Sequence, residues 1–276
     1  SPGGPVPPGL PYHPRGVEDG SLRVRPMLKV EHLPKIYEGG VVGLEDVSFE
    51  VPDQQFLAVI GLSGSGKSTL LRCINRLIEP TEGRITWDGV DITAASQEEM
   101  RRIRRKIGMV FQHFNLVHRS KVMTNVLAGR LGYVNPLASL VNRFPKSDIE
   151  KAMATLDRVG IMDKAEARAD ELSGGQQQRV GIARAMMQDP EMVLADEPVA
   201  SLDPVLADSI MSYLVDINKN DDVTVLCSLP FLDLVHRYAD FVIALNDGKL
   251  MFEGTPAEIT DEKFKEIYGQ EAERLG

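Results

Sequence analysis

A glycine-rich turn between an apolar segment and a helical segment is the feature that most restricts how this chain can fold. The apolar segment QFLAVIG ends at Gly61, and the turn GLSGSGKST follows the pattern G-x-x-x-x-G-K-[ST]. From Lys67 to Leu77, leucine and isoleucine recur at helical spacing. A strand, such a turn and a helix in succession form a phosphate-binding loop, whose backbone N–H groups face the phosphates. The sequence therefore predicts a nucleotide-binding α/β protein.

The residues of this turn have separate tasks in phosphate binding. Glycine lets the backbone approach the phosphates closely, because it has no side chain and tolerates left-handed conformations. In this pattern Lys67 reaches the β and γ phosphates, and the hydroxyl of Ser68 ligates Mg²⁺. We expect the nucleotide to contact Gly61, Ser63, Gly64, Ser65, Gly66, Lys67, Ser68 and Thr69. The loop alone also fits a kinase, a GTPase or a motor, so the class of protein depends on further motifs.

Strand-like and helix-like segments alternate along most of the chain. Two β-like runs, LKVEHL and VGLEDVSFEV, precede the loop, and the apolar runs MVLAD, VTVLCSL and FVIAL alternate with helical patterns after it. Helices are predicted around Gln97 to Arg105, from Gly175 to Met187 and over the terminal run DEKFKEIYGQEAERL. Residues 113–172 differ, because they show helical patterns and no convincing strand. The predicted fold class is therefore α/β, with a P-loop NTPase core of mostly parallel sheet and helices, an antiparallel β flank and an inserted helical subdomain at about 113–172.

Composition narrows the class of partner. The chain has 40 acidic and 31 basic residues, a formal net charge of -9, which disfavours a nucleic-acid partner.

Cys73 and Cys227 lie in apolar stretches and are predicted to be reduced core residues of a cytosolic protein. No segment has the roughly 20 apolar residues that cross a bilayer, so contact with a membrane is expected to go through a partner. Residues 1–26 are rich in Pro and Gly and are predicted to be a disordered extension of a domain at 27–276.

Two further motifs decide the class. Leu172 to Gln176 read LSGGQ and are followed by QQRVGIARAM, which resembles the signature sequence of the ABC ATPases. The run MVLADEP then ends an apolar strand in two carboxylates, Asp196 and Glu197. Such a pair by itself is weakly specific and has helix capping as its default role, but here it follows the signature at the spacing of the ABC ATPases. The resemblance to that family covers residues 27–276.

The resemblance implies roles for five residues outside the loop. Glu197 would polarise the attacking water, and Asp196 would lie near Mg²⁺. Gln112, after the strand IGMVF, matches the family's loop glutamine, which reaches Mg²⁺ and the water. Tyr37 matches the aromatic residue that stacks on adenine. Asp203, in the run SLD, matches the loop that touches a partner protomer.

The same resemblance implies partners. Two copies would form a head-to-tail homodimer, with ATP held between the phosphate loop of one copy and the signature of the other. The signature residues expected to contact this ATP are Ser173, Gly174, Gly175 and Gln176. The helical subdomain would transmit the ATP cycle to transmembrane permease subunits, which an extracytoplasmic solute-binding protein supplies. The chain would then lie peripherally at the cytoplasmic face of the cell membrane.

The amino-acid sequences of several segments narrow the resemblance to one group within the ABC ATPases. NVLAGRLGY, FPKSD, LADEPVASLDP and FKEIYGQEAERL look most like the ATP-binding subunits of phosphonate importers. The function implied is an ATP-hydrolysing subunit that powers import of phosphonate or a related phosphorus oxyanion, a solute that this chain itself does not touch. An ABC ATPase of a soluble phosphonate-metabolism assembly would keep the same chemistry without a permease, and it stays an alternative.

One position departs from the family. Where ABC ATPases place a histidine that contacts the γ phosphate, alignment through RYADFVIAL puts Pro230. Proline has no side-chain or backbone donor to offer there. His236 lies six residues further on and is predicted to be an exposed or half-buried helix residue. Pro230 therefore favours a second alternative, a nucleotide-gated dimerisation module with impaired hydrolysis.

Overall fold

The computed structural model describes residues 26–134 and 143–269, and the fold below refers to these residues. The predicted disordered extension lies outside them, except that Pro26 already begins the first strand. The strands are β1 Pro26–Ile36, β2 Val42–Pro52, β3 Phe56–Ile60, β4 Arg84–Trp87, β5 Val90–Asp91, β6 Ile107–Val110, β7 Met192–Ala195, β8 Thr224–Ser228, β9 Phe241–Asn246 and β10 Lys249–Gly254. The α-helices are α1 Lys67–Ile74, α2 Gln97–Arg105, α3 Val122–Leu127, α4 Lys146–Arg158, α5 Gly174–Met186, α6 Pro204–Asn220, α7 Leu232–Tyr238 and α8 Asp261–Tyr268.

The strands form two sheets. Six strands lie in the order β10-β9-β3-β8-β7-β6, and all neighbours in it are parallel except β10, which is antiparallel to β9. Four strands form an antiparallel sheet in the order β2-β1-β4-β5. The predicted fold class, a mostly parallel α/β core with an antiparallel flank, is confirmed.

Strand β3 shows why the parallel sheet is buried. All five of its residues are buried, and side chains that alternate along it face two different apolar clusters. Phe56, Ala58 and Ile60 face the cluster built with helices α3, α5 and α6. Leu57 and Val59 face the cluster built with helix α1 and the antiparallel sheet. The strand is therefore the shared centre of both halves of the core.

Four loops meet at the carboxyl edge of the parallel sheet. The glycine-rich turn follows β3, Gln112 follows β6, Asp196 follows β7 and Pro230 follows β8. Loops at the carboxyl ends of adjacent parallel strands lie side by side, which is where open α/β sheets place their ligands. The topology therefore brings the phosphate loop to the acidic residues.

Residues 113–172, the predicted helical subdomain, contain helices where the structure describes them. Helices α3 and α4 lie within residues 113–172, and the described part of that segment contributes no strand to either sheet. None of the described helices is both long enough and apolar enough to cross a bilayer.

Two helix ends differ from the sequence prediction. Helix α1 ends at Ile74, three residues before the predicted Leu77. The chain turns away at Arg76, which is left-handed with φ 47°, so Leu77 is exposed rather than on the buried helix face. The predicted terminal helix DEKFKEIYGQEAERL forms as α8 up to Tyr268 and stops at Gly269, whose φ of 96° is left-handed; residues 270–276 lie outside the described residues.

Both cysteines are free and fully buried, as predicted for core positions. Burial raises the pKa of Cys73 to about 12. Burial also raises the pKa of Cys227, and the negative charge of Asp196 adds to that shift. Both thiols therefore stay protonated near neutral pH and behave as apolar core groups.

Candidate nucleotide-binding site

The glycines of the phosphate loop are required by its backbone. Gly61, Gly64 and Gly66 have φ values of 140°, 82° and 105°, a region that other residues rarely adopt. A Cβ atom on Gly61 would lie 2.1 Å from the carbonyl oxygen of Leu245, and one on Gly66 would lie 2.6 Å from that of Gly43. The pattern of glycines therefore follows from both backbone conformation and close packing.

Lys67 is held across the loop. Its Nζ donates hydrogen bonds to the carbonyl oxygens of Gly61 and Leu62 at 3.0 and 2.9 Å, and its side chain is only 5% exposed. The same nitrogen lies 3.5 Å from Oε1 of Glu197. A buried ammonium beside the loop N–H groups suits binding of a polyphosphate.

Ser65 supplies a second observation that fits a phosphate ligand. Its residue is 2% exposed, and its Oγ has no hydrogen-bond partner among the described residues. Buried hydroxyls in folded proteins are normally paired, so an unpaired one in this loop points to a ligand oxygen. The loop residues present therefore fit a bound phosphate chain.

Asp196 joins the loop to strand β7. Its carboxylate, fully buried, accepts hydrogen bonds from Ser68 Oγ at 2.6 Å and from Arg72 Nη2 at 2.9 Å. Oxygen atoms of a hydroxyl and a carboxylate are the ligands that Mg²⁺ prefers, so this pair fits the predicted metal site. Sequence reasoning missed Arg72; its position four residues after Ser68, on one face of helix α1, was the available signal.

Gln112, the third predicted metal ligand, is adjacent to this pair. It lies two residues after Val110, whose carbonyl oxygen accepts the backbone N–H of Asp196 at 2.9 Å. The side chain of Gln112 is half-buried and makes no hydrogen bond within the described residues. The backbone therefore brings residue 112 to the region of the acidic residues, and its role as a metal ligand stays a prediction.

Glu197 is fixed by its backbone as well as by its charge. The residue is left-handed, with φ 45°, and its N–H donates to the hydroxyl of Ser228 at 2.7 Å. Its side chain is 21% exposed and forms the ion pair with Lys67. A partly exposed carboxylate next to the phosphate loop is suited to contact a water molecule at the γ phosphate. Ser228 was also missed by sequence reasoning, since a serine at the end of a buried strand carries no motif.

Tyr37 lies next to the start of helix α1. Its hydroxyl is 3.0 Å from Oγ1 of Thr69, and its ring is half-buried, with the Lys35 ammonium 5.2 Å from the ring centre. A Cβ on Gly43 would come within 2.6 Å of the ring, so that glycine leaves room for it. The structure thus brings the predicted adenine-stacking residue to the loop.

The signature residues form a separate cluster. Ser173 caps helix α5: its Oγ accepts the N–H of Gln176, and the Gln176 side chain accepts the N–H of Ser173. Asp203 caps helix α6 by accepting two backbone N–H groups. Among the residues that the structure describes, no hydrogen bond or ion pair joins either group to the phosphate loop. A single chain therefore leaves the signature without the phosphate contacts predicted for it.

Residues 44–200, more than half of the chain, match the family described as ABC transporter. The chain belongs to this family. The resemblance predicted from the sequence is thereby confirmed, and the chain is an ATPase of the ABC type.

Curated ABC proteins similar to this chain share about half of its residues. The phosphonates import ATP-binding protein PhnC of Shouchella clausii is 50% identical over 253 residues, which cover 91% of this chain and 95% of that protein. The protein of the same name from Nitratidesulfovibrio vulgaris is 52% identical over 244 residues, which cover 88% of this chain and 92% of that protein. The similarity therefore extends over nearly the whole length of these relatives.

Solved ABC structures match the fold. The dimeric post-hydrolysis state of the ATP-binding cassette MJ0796 bound to ADP and Pi has a TM-score of 0.75 and 32% identity, covering 83% of this chain and 99% of that one. The ADP conformation of MJ1267, an ATP-binding cassette of an ABC transporter, has a TM-score of 0.74 and 29% identity, covering 89% and 96%. Cassettes similar to this chain thus bind nucleotide, and one of them is dimeric.

Replacing Lys67 by alanine is expected to weaken nucleotide binding. The change removes the buried ammonium, and charge-assisted hydrogen bonds of this kind predict a loss of about 10- to 100-fold in affinity. Titration with a fluorescent ATP analogue measures the effect. Lys249→Ala, which removes an exposed lysine paired with Glu45, is the matched control and should leave the affinity as it was. Equal affinities for the two variants would show that Lys67 does not bind phosphate.

Proposed function

We propose that this chain binds and hydrolyses Mg-ATP to power import of a phosphonate or a related phosphorus oxyanion through a membrane-embedded permease. The identity of about 50% with phosphonate import ATP-binding proteins over about 90% of the chain supports the solute class. The adjacency of Lys67, Asp196 and Glu197 supports the chemistry. The solute itself would contact the permease and an extracytoplasmic solute-binding protein rather than this chain.

The chemistry is hydrolysis of the γ-phosphoryl bond. The loop N–H groups and Lys67 hold the β and γ phosphates, which positions the reacting phosphorus. Ser68, Gln112 and Asp196 would hold Mg²⁺, which neutralises phosphate charge when bound. Glu197 accepts a proton from the attacking water while the oxygen of that water bonds to the γ phosphorus. The bond between the γ phosphorus and the bridging oxygen of the β phosphate then breaks, which gives ADP and phosphate.

The second half of each site would come from another copy. Within the described residues, Ser173 to Gln176 make no hydrogen bond to the phosphate loop of their own chain, and helix α5 begins there with N–H groups that suit an anion. In a head-to-tail homodimer they would face the γ phosphate of the partner's ATP. Tyr37 would stack on adenine, and Asp203 would approach the partner in addition to capping helix α6. ATP then joins the two copies, and its hydrolysis separates them.

Transport of a labelled solute tests the assignment. Cells of the source organism that carry Glu197→Gln in the chromosomal copy should lose uptake of radiolabelled methylphosphonate, because transport would depend on ATP hydrolysis by this chain. Uptake of inorganic phosphate is the internal comparison, and Glu191→Gln, on an exposed residue paired with Lys106, is the control variant.

Three outcomes separate the possible functions. Loss of methylphosphonate uptake supports the proposal, and loss of phosphite uptake instead would assign the related oxyanion. Unchanged uptake of both solutes contradicts the import function.

Purification of the full chain from detergent-solubilised membranes should also recover a multi-span membrane protein. Recovery only with soluble enzymes would favour the alternative of a soluble phosphonate-metabolism assembly.

A second candidate function rests on one residue. Pro230 directly follows Leu229, whose N–H bonds to the carbonyl oxygen of Val59 at 3.0 Å, so residue 230 lies at the edge of the sheet where the catalytic loops meet. His236 is exposed on helix α7, as predicted for a residue without a role in the site. A proline at this place favours a cassette that dimerises on ATP and hydrolyses it slowly.

A further inference from the structure

The hydroxyl of Ser228 lies between the two acidic residues of the site, although no motif includes it. Ser228 is the last residue of β8 and is fully buried. Its Oγ accepts the backbone N–H of Glu197 at 2.7 Å. The same oxygen is 3.5 Å from the carbonyl oxygen of Ala195 and 3.5 Å from Oδ1 of Asp196, so its own hydrogen faces two acceptors.

The backbone at Glu197 explains why such a contact is needed. Asp196 still bonds to strand β6 through its N–H, but Glu197 turns into the left-handed region, with φ 45°. A left-handed residue other than glycine costs roughly 1 to 2 kcal/mol and persists only where its surroundings hold it. A buried N–H also needs a partner. The Ser228 hydroxyl meets both needs, because it holds the strained residue through its N–H.

We propose that Ser228 is a positioning residue for ATP hydrolysis, whose hydroxyl sets the direction of the Glu197 carboxylate by fixing its backbone. The inference rests on the proposed role of Glu197 and deepens it, since Ser228 acts through that residue. Within the described chain the partners of the hydroxyl are Glu197, Ala195 and Asp196, and none of them belongs to the phosphate loop. Asp196, which the proposed function places at Mg²⁺, keeps its shorter hydrogen bonds from Ser68 and Arg72 when the hydroxyl is lost. Loss of the hydroxyl therefore affects the chemical step more than nucleotide binding.

Ser228→Ala in the full chain tests whether the hydroxyl affects the chemical step rather than nucleotide binding. We expect kcat for ATP to fall about 10- to 100-fold, because a displacement of about 1 Å of a reacting group costs rate on that scale. The affinity for a fluorescent ATP analogue should change by less than about threefold, since the phosphate contacts are intact. Ser228→Thr keeps a hydroxyl at the same place on a β-strand and should restore most of the turnover.

Thr224→Val is the matched control. Thr224 begins the same strand and is also fully buried. Its Oγ1 accepts the N–H of Gln54 at 2.8 Å, and Gln54 is left-handed as well, with φ 62°. The control therefore removes the same kind of hydrogen bond at the other end of β8, away from the site. The Gln54 N–H keeps a second acceptor in Oδ1 of Asp53 at 2.9 Å, so thermal stability should fall no further than in Ser228→Ala, and kcat should stay within about twofold of the parent.

The outcomes distinguish Ser228 from Glu197. If Ser228→Ala and Thr224→Val lose equal turnover, or if nucleotide affinity falls as far as kcat, the positioning role is overturned. In a Glu197→Gln background, removal of the Ser228 hydroxyl should have no further effect on turnover. If Glu197→Gln alone keeps full turnover, the role of Glu197 is wrong. If Glu197→Gln is inactive while Ser228→Ala matches its control, only the inference about Ser228 fails.

Discussion

Replacing Glu197 by glutamine should lower ATP turnover by about 100- to 10,000-fold and leave nucleotide bound, because an amide keeps the shape of the side chain but cannot accept a proton. The contacts proposed for Gly61, Gly66 and Lys67 with phosphate do not involve this carboxylate. Loss of the negative charge 3.5 Å from Nζ of Lys67 also removes the one ion pair of that ammonium within the described residues, which favours its pairing with phosphate. Hydrolysis therefore stops while binding continues.

The same variant should accumulate as a dimer. With ATP held between two copies and not hydrolysed, Mg-ATP should shift the chain from monomer to dimer in size-exclusion chromatography with light scattering. Glu191→Gln is the matched control, because Glu191 precedes strand β7 as Glu197 follows it, and it forms an exposed ion pair with Lys106. Turnover equal to that of this control would remove Glu197 as the base. A monomer at saturating Mg-ATP would contradict the proposed homodimer.

Local patterns predicted the elements that carry their own signals. Helix α2 spans the predicted Gln97 to Arg105, and the structure shows that Ser96 caps it with Glu99 in reciprocal hydrogen bonds. Helix α5 begins at Gly174, one residue before the predicted start, because Ser173 caps it. The end of α1 was wrong, since apolar spacing continues through Leu77 although the backbone turns at Arg76. Spacing reports which residues are apolar and cannot report where the chain changes direction.

The residues of the candidate site also fall into two groups, those that local sequence patterns predicted and those that they missed. Motifs on consecutive residues located the phosphate loop and the acidic pair, and the structure brings Ser68 within 2.6 Å of Asp196. Arg72 and Ser228 contact the acidic pair from positions 124 and 31 residues away in the chain. No periodicity or capping rule spans such separations, because they depend on which strands become neighbours. The orienting contacts around a site are therefore visible only once the sheet order is known.

Pro230→His is the change expected to raise turnover. Ser228 points towards Glu197, and proline restricts the preceding Leu229 to an extended conformation. Side chains two residues apart on an extended segment share a face, so residue 230 is directed to the same side as Ser228. Pro230 is half-buried, so part of its side chain faces solvent, and its nitrogen carries no hydrogen that the change would disturb.

A histidine there could donate a hydrogen bond to the γ phosphate as charge develops in the transition state. Contacts of this kind are worth roughly 3 to 4 kcal/mol, or about 100- to 1000-fold in rate. Nucleotide affinity should change much less, because the loop and Lys67 are proposed to supply most ground-state contacts. We therefore expect Pro230→His to accelerate steady-state hydrolysis by about that factor at nearly constant affinity.

Pro230→Ala separates the effect of the imidazole on turnover from the effect of removing proline. If the gain comes from a phosphate contact, the alanine variant should keep the turnover of the parent, and Glu197→Gln should abolish the gain in a double variant, because the base is still required. An alanine variant as fast as the histidine variant would assign the effect to backbone freedom at the end of β8. Equal turnover of parent and Pro230→His would mean that another group already holds the γ phosphate or that residue 230 does not face it. If turnover is slow in the parent and fast in Pro230→His, one missing hydrogen-bond donor limits hydrolysis in this cassette.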